Sequence, residues 1–319
     1  MTQEATIAAG SRAAGRPAVP RDRFRGALLG LAVGDALGAP AEFLTALQVR
    51  ERWGVLDEMV GGGCHGVAAG EGTDATEMML ALAESLVVGG FSPEDVVGRY
   101  RTWFAGGPRD VSLTTRTAML ALAAGTPWEL ASRRAYEILG SPTPGNGSVM
   151  RCAPVALRFY ADGETRRRVS LADSALTHFD HLAGWSCVAL NELLVAAMAD
   201  RLDEDLPAIA ASLDAEDSRV SGALREAADA EPSEIHAGAF VLDSLKAAVW
   251  AVLHTSSFEG ALVEIVNRGD DCDTVGAVAG ALAGARYGAG AIPARWLEAL
   301  LVRERVTAAA DGLAERAAT

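Results

Sequence analysis

The sequence predicts an almost all-α protein, on three observations. Half of its residues are hydrophobic, with alanine and leucine foremost among them. Apolar residues recur at helical spacing, and alternating β-branched runs are scarce. Glycine, where it enters these segments, keeps a helical period. The 319 residues can bury a sizeable core. No interior linker stands out, so residues 22–319 read as one domain. Residues 1–21, rich in Gly, Ala, Pro and charge, read as a disordered arm.

The elements follow in order. In "FRGALLGLAVGDALGAPAEF", Gly26, Gly30, Gly34 and Gly38 recur every four residues. "EMMLALAESLVVGG" predicts a helix closed by Gly89 and Gly90. "SPEDVVGRYRTWFAGG" predicts another, with Ser92 as N-cap. "GWSCVALNELLVAAMADRL" and "AFVLDSLKAAVWAVLHTS" continue the pattern. The acidic stretch from Asp203 to Ser218, and the segment on to Pro232, predict peripheral helices or loops. Gly276, Gly280, Gly284 and Gly288 form a second four-residue period, and "IPARWLEALLVRERVTAAADGL" predicts one final helix. A helical glycine costs about 1 kcal/mol relative to alanine. Two stripes of them imply compensation by close backbone approach. Each stripe lies beside acidic residues, Asp35 and Glu42 for the first, Asp271 and Asp273 for the second. Both helices are therefore expected to be central and to carry these acids into one cleft.

Composition narrows the function. A formal charge of -14 argues against nonspecific nucleic-acid binding. Cys64, Cys152, Cys187 and Cys272 are scattered, with no CxxC pair, and read as reduced thiols of a cytoplasmic protein. The N-terminus lacks the apolar core of a signal peptide. The two closest approaches to an uncharged membrane span are interrupted, one by Asp35 and Glu42, the other by Asp243 and Lys246.

Four clusters could carry chemistry. "GTDATEMML" sets Thr73, Asp74 and Thr76 at a helix start, with Ala75 between them. "NRGDDCDTVGAVAG" crowds Asp270, Asp271 and Asp273 beside Thr274 at another. Capping by acids at a positive helix N-terminus is the competing reading for each alone. The same oxygen chemistry at two helix starts favours a hard cation such as Mg²⁺, Mn²⁺ or Ca²⁺ over zinc. Gly145, Asn146, Gly147 and Ser148 form a turn whose backbone N–H groups suit an anion, or an ordinary turn. Thr177, His178, Asp180 and His181 precede a helix, as caps or as a two-histidine metal site. There is no GxSxG motif.

Taken in order, "FRGALLGLAVGDALGAPAEF", "GTDATEMMLALAESL", "GNGSVMRCAPVAL", "THFDHLAGWS" and "NRGDDCDTVGAVAGALAGARYG" resemble the ADP-ribosylglycohydrolase family, including the dinitrogenase reductase-activating glycohydrolases. The resemblance spans Arg25 to about Leu301. It implies an all-α fold with two Mg²⁺ or Mn²⁺ ions in a central cleft. It implies hydrolysis at C1″ of ADP-ribose, on a modified protein or small acceptor. It assigns metal ligation to Thr73, Asp74, Asp271, Asp273 and Thr274. Glu42, Asp74 and Asp110 fall at catalytic positions, Gly145 to Ser148 at the diphosphate loop, and His178 in the ligand pocket. The chain departs from the family pattern in three places. Ala75 stands where the family has a second aspartate, Gly72 where tryptophan is common, and Asp270 where glycine is common. Ala75 implies a weakened enzyme, an ADP-ribose binder, or an aspartate replaced by design. The intact surroundings favour the last, with a crippled chain and an active parent. No membrane partner is expected, and nucleic acid only as a modified substrate.

Overall fold

The computed structural model describes residues 20–140 and 144–318. The expected N-terminal arm, up to residue 19, lies outside the described residues. Among the described residues there are sixteen α-helices and no β-strand, only three isolated β-bridges. The helices are α1 (Arg21–Gly38), α2 (Ala46–Trp53), α3 (Asp74–Val88), α4 (Pro93–Ala105), α5 (Leu113–Ala123), α6 (Trp128–Leu139), α7 (Ala153–Arg158) and α8 (Gly163–Ala175). Then come α9 (His181–Met198), α10 (Leu202–Leu213), α11 (Ser218–Asp229), α12 (Val241–His254), α13 (Phe258–Val266), α14 (Cys272–Tyr287), α15 (Ala294–Ala299) and α16 (Arg303–Ala318).

The two glycine stripes meet. A Cβ added at Gly26 would lie 2.2 Å from the Gly284 carbonyl oxygen; at Gly30, 2.1 Å from that of Gly280; at Gly34, 1.9 Å from that of Gly276. The reverse contacts are as tight, so α1 and α14 touch backbone to backbone along their length. Both are buried nearly all round, as helices at the centre of a bundle must be. The other helices form a shell. α12 and α13 cover one side of α14, α9 another, and α16 packs on α1, α3 and α7. α9 is long and apolar enough to cross a membrane, but most of it is buried against its neighbours as a core helix.

Most of the expected elements form. Ser92 caps α4, accepting from Asp95 N–H, and Gly89 ends α3. The acidic segment becomes the amphipathic pair α10 and α11. The final segment departs from expectation, because it is two helices, not one. Between α15 and α16 the chain stops to pack on a loop. Leu301 N–H donates to the Gly70 carbonyl at 3.0 Å. Gly70 is held so closely that a Cβ there would sit 1.9 Å from the Ala299 oxygen. A tertiary contact thus overrides helical periodicity.

Candidate active site

The site is built where α1, α3 and α14 converge. Asp35, one residue beyond Gly34 in the stripe, is fully buried. Its carboxylate accepts from Thr73 N–H, Thr73 Oγ1, Thr76 N–H and Thr76 Oγ1, at 2.5 to 3.1 Å. It therefore serves as the cap that the first turn of α3 lacks from its own N-cap side chain. That arrangement fixes Asp74 at the helix start. Asp74 Oδ2 accepts from Ser112 N–H at 3.2 Å, which ties it to the start of α5. Thr73 Oγ1 also lies 3.5 Å from Asp273 Oδ2, so the two motif-bearing helix starts are in contact.

Glu42 is brought in by a loop clasp. Phe43 N–H donates to the Asp270 carbonyl, and Asp270 N–H donates to the Leu44 carbonyl, both at 2.7 Å. Carboxylate oxygens of Glu42, Asp271 and Asp273 lie within 4.8 Å of one another. Asp270 holds this turn at φ 59°. That left-handed conformation suits glycine, which explains why glycine is common there in the family. Gly72 has its own reason in this chain: an added Cβ would lie 2.7 Å from both Asp35 Oδ2 and Thr76 Oγ1.

Asp35, Glu42, Asp74, Asp110, Asp271 and Asp273 thus share one pit. Among the described residues none of them pairs with arginine or lysine; only His65 approaches, 2.5 Å from Glu42 and 3.7 Å from Asp110. Burial is the main cause that raises the proton affinity of Asp35, Glu42, Asp74, Asp271 and Asp273. Asp35 is pushed up to about 6 by burial, against the four hydrogen bonds that lower it. Asp271 is pushed up to about 7 by burial and by the charges of Glu42 and Asp110. Asp74 and Asp273 are raised well above the usual carboxylate range by burial and by neighbouring acids. Buried like charges without a counter-ion are costly, and a bound cation removes that cost.

The turn at Gly145 to Ser148 flanks the pit. Asn146 Nδ2 donates to Asp271 Oδ2 at 2.5 Å and to Ser244 Oγ at 2.8 Å. Its side chain therefore braces the acidic turn. Ser148 Oγ faces inward, hydrogen-bonded to Ser174 and Cys187. Any anion must then meet backbone N–H groups. Among the described residues those of Gly147 and Ser148 have no backbone acceptor.

The turn is held by a residue that the sequence reading missed. Arg151 is fully buried and bonds Asp173 Oδ2 at 3.3 Å, the Asp173 carbonyl at 2.9 Å, the Gly147 carbonyl at 3.2 Å and Thr177 Oγ1 at 2.8 Å. Thr177 Oγ1 in turn lies 2.8 Å from His178 Nδ1. Arg151 donates to this hydroxyl; with the hydroxyl proton turned to Nδ1, neutral His178 carries its proton on Nε2. Among the described residues that buried nitrogen has no hydrogen-bond partner, and it faces the turn, 3.2 Å from where a Gly147 Cβ would be. Burial holds the imidazole down to about 3, so it stays neutral. Beside it opens a cavity of about 180 Å³, lined by Leu113, Tyr136, Pro144, Gly145, His178 and Phe179. The Tyr136 and Phe179 rings lie 5.6 Å apart, centroid to centroid. Asp180, as the bland reading allowed, caps α9 through Leu182 N–H.

With this geometry, the comparisons are decisive. The family description "ADP-ribosylglycohydrolase" matches residues 16–319. The chain belongs to the ADP-ribosylglycohydrolase family. It is 32% identical to the ADP-ribosyl-[dinitrogen reductase] glycohydrolase of Rhodospirillum rubrum over 289 residues, 88% of this chain and 90% of that one. It is 34% identical to the ADP-ribosylarginine hydrolase Tri1 of Pseudomonas putida over 307 residues, 93% of this chain and 79% of the relative. A solved ADP-ribosylglycohydrolase-related protein complex superposes with a TM-score of 0.80 at 35% identity, covering 94% of this chain and 99% of that chain. Family membership and these relatives together indicate ADP-ribosyl hydrolase activity. Ala75 remains the departure that matters. It is fully buried in the first turn of α3, part of the apolar core.

Proposed function

We propose that this chain hydrolyses the glycosidic bond at C1″ of ADP-ribose, releasing ADP-ribose from a protein side chain or small acceptor. The observation that carries this reading is the pit of five buried carboxylates, with half-buried Asp110 at its edge and, among the described residues, no lysine or arginine paired to them. The donor set is all hard oxygen, which suits Mg²⁺ or Mn²⁺. Two ions are proposed, one toward Thr73 and Asp74, the other toward Asp271, Asp273 and Thr274. When bound, they would orient the ribose 2″ and 3″ hydroxyls and acidify a water.

The chain's own residues do the rest. The N–H groups of Gly147 and Ser148 and the His178 Nε2 proton are donors for the diphosphate. The Tyr136–Phe179 cavity offers the adenine an apolar slot with a stacking face. A ligand held in this way would have its ribose end over the acids. The transition state gains positive charge at C1″, which the anionic pit stabilises. Glu42 and Asp110 are the acid/base candidates, because they lie at the rim beside His65. Burial and Asp110 raise Glu42, while His65 opposes them, so Glu42 can hold a proton more readily than a free carboxylate.

Ala75 removes one expected oxygen ligand, so the ion beside Asp74 is weakly held and turnover is slow. The same residue supports a second reading, an ADP-ribose binder without turnover. Calorimetry with free ADP-ribose, and release of ADP-ribose from ADP-ribosyl-arginine, separate them. Arginine comes first because relatives are named for that linkage. Binding with release by Ala75→Asp supports the hydrolase. Binding without release by either form supports the binder. Absence of ADP-ribose binding contradicts both.

A further inference from the structure

Over the acid pit lies a short hairpin with different chemistry. Gly62 and Val67 exchange backbone hydrogen bonds of 2.7 and 3.1 Å, closing a tip from Gly63 to Gly66. The tip is seated, not floating. Gly63, at φ 69°, packs so closely that a Cβ would sit 2.6 Å from the Ala39 oxygen, just before Glu42. Arg109 Nη1 donates to the Gly66 carbonyl at 3.1 Å from the other side. This seating places the two tip side chains over Glu42. Cys64 Sγ lies 3.5 Å from Glu42 Oε2, and His65 Nε2 lies 2.5 Å from the same oxygen. The three ligand atoms all fall within 4.8 Å of one another.

The acid pit offers only hard oxygen. The lip offers thiol, imidazole and carboxylate, the donor set of a zinc-class ion. Tetrahedral zinc holds sulfur at about 2.3 Å and nitrogen or oxygen at about 2.0 Å, so its ligands stand roughly 3.3 to 3.6 Å apart. The Cys64–Glu42 separation already matches, and the His65–Glu42 pair needs to open by about 1 Å. Cys64 is exposed, so an ion has access. Asp110, 3.7 Å from His65 Nε2, stands near the fourth position.

We propose that Cys64, His65 and Glu42 form a second metal site, selective for Zn²⁺-class cations, on the lip of the cleft. Its occupation fastens the hairpin to Glu42. The same carboxylate also converges with Asp271 and Asp273, so an ion at the lip competes with the pit for it. Zinc at the lip therefore acts as a latch that withdraws Glu42. The binding site stands on its own geometry; its effect on turnover rests on the hydrolase reading.

Cobalt titration of the full chain in excess Mg²⁺ tests the site without any activity. Co²⁺ bound by a thiolate gives a sulfur-to-metal charge-transfer band in the near ultraviolet. One equivalent should produce the band, and Zn²⁺ should bleach it. Cys64→Ser should abolish it, and His65→Gln should weaken Co²⁺ binding at least about tenfold. The other three cysteines are buried, so Cys64→Ser identifies the source. Absence of the band in the parent, or its persistence in Cys64→Ser, would overturn the site. In a turnover assay at fixed Mg²⁺, Zn²⁺ should inhibit the parent at concentrations at least tenfold below those needed for Cys64→Ser. Equal sensitivity, with the cobalt band intact, would overturn the latch while leaving the site.

Discussion

Replacing Gly280 by alanine should destabilise the protein, although alanine is the better helix former. Gly280 lies mid-way along α14, facing Gly30. A methyl group there would stand 2.0 Å from the Gly30 oxygen and 2.7 Å from its carbonyl carbon. The closest real Cβ contacts are 3.0 Å, so the helices are about 1 Å too near. The obstacle is backbone, which no rotamer change can move. Overpacking of this kind costs about 1–3 kcal/mol, and separating the helices also loses contact at the neighbouring glycines. Helix propensity returns about 0.8–1.0 kcal/mol. The net loss is up to about 2 kcal/mol, or a fall in Tm of up to about 3 °C at roughly 2.1 cal/mol/K of unfolding entropy per residue. Gly98 in α4 and Gly222 in α11 serve as controls, because nothing lies within 4 Å of a Cβ at either. Alanine there should raise stability by up to about 1 kcal/mol. Thermal melts of the three variants decide the matter. A Gly280→Ala protein as stable as Gly98→Ala would refute the packing of the two central helices.

Further predictions concern the pit. Excess Mg²⁺ or Mn²⁺ should raise the Tm of the parent, and raise it less for Asp271→Asn or Asp273→Asn; equal shifts in all three would remove these residues from the ligand set. The metal-induced gain should grow with pH. Asp271 rises on folding from the usual 3.8 to about 7, so its contribution without metal is present below about 4 and lost as pH climbs through 7. His178 has the opposite sign, being lowered from 6.5 to about 3, so its contribution is lost as pH falls through that range. It cancels in the difference with and without metal, and a metal gain that is flat from pH 4 to 7 would contradict the assignment. At the φ 59° turn, Asp270→Gly should leave stability within about 0.5 kcal/mol, while Asp270→Val should lower it by about 1–2 kcal/mol; equal melts for the two would show that the turn is not strained.

The central helices were legible because glycine every four residues has few uses other than close packing. Asp74, Asp271 and Asp273 were legible because acids crowd beside threonines at two helix starts. The role of Asp35 was only half legible. Its place next to a stripe marked it for the cleft, but the four hydrogen bonds that cap α3 come from residues 38 and 41 positions away. Arg151 carried no signal in the sequence, since a buried arginine declares itself only through Asp173 and Thr177, brought close by folding. His65 sits in a glycine-rich hairpin without periodicity, so nothing local pointed it at Glu42. The break between α15 and α16 was hidden for the same reason, being imposed by Gly70 from across the fold. Asn146 was read as part of an anion loop; that its side chain also braces Asp271 was not legible, because the partner lies 125 positions away.

The most direct measurement is the initial rate of ADP-ribose release at saturating metal and substrate, for this chain and for Ala75→Asp. Ala75 is fully buried, so an added carboxylate is tolerable only against a cation. The account predicts that Ala75→Asp releases ADP-ribose at least about 100-fold faster, equivalent to about 2.7 kcal/mol of barrier. It also predicts that chelation of the metal abolishes the gain. A rate unchanged by Ala75→Asp, or a rate indifferent to chelation, would contradict the metal-centred mechanism.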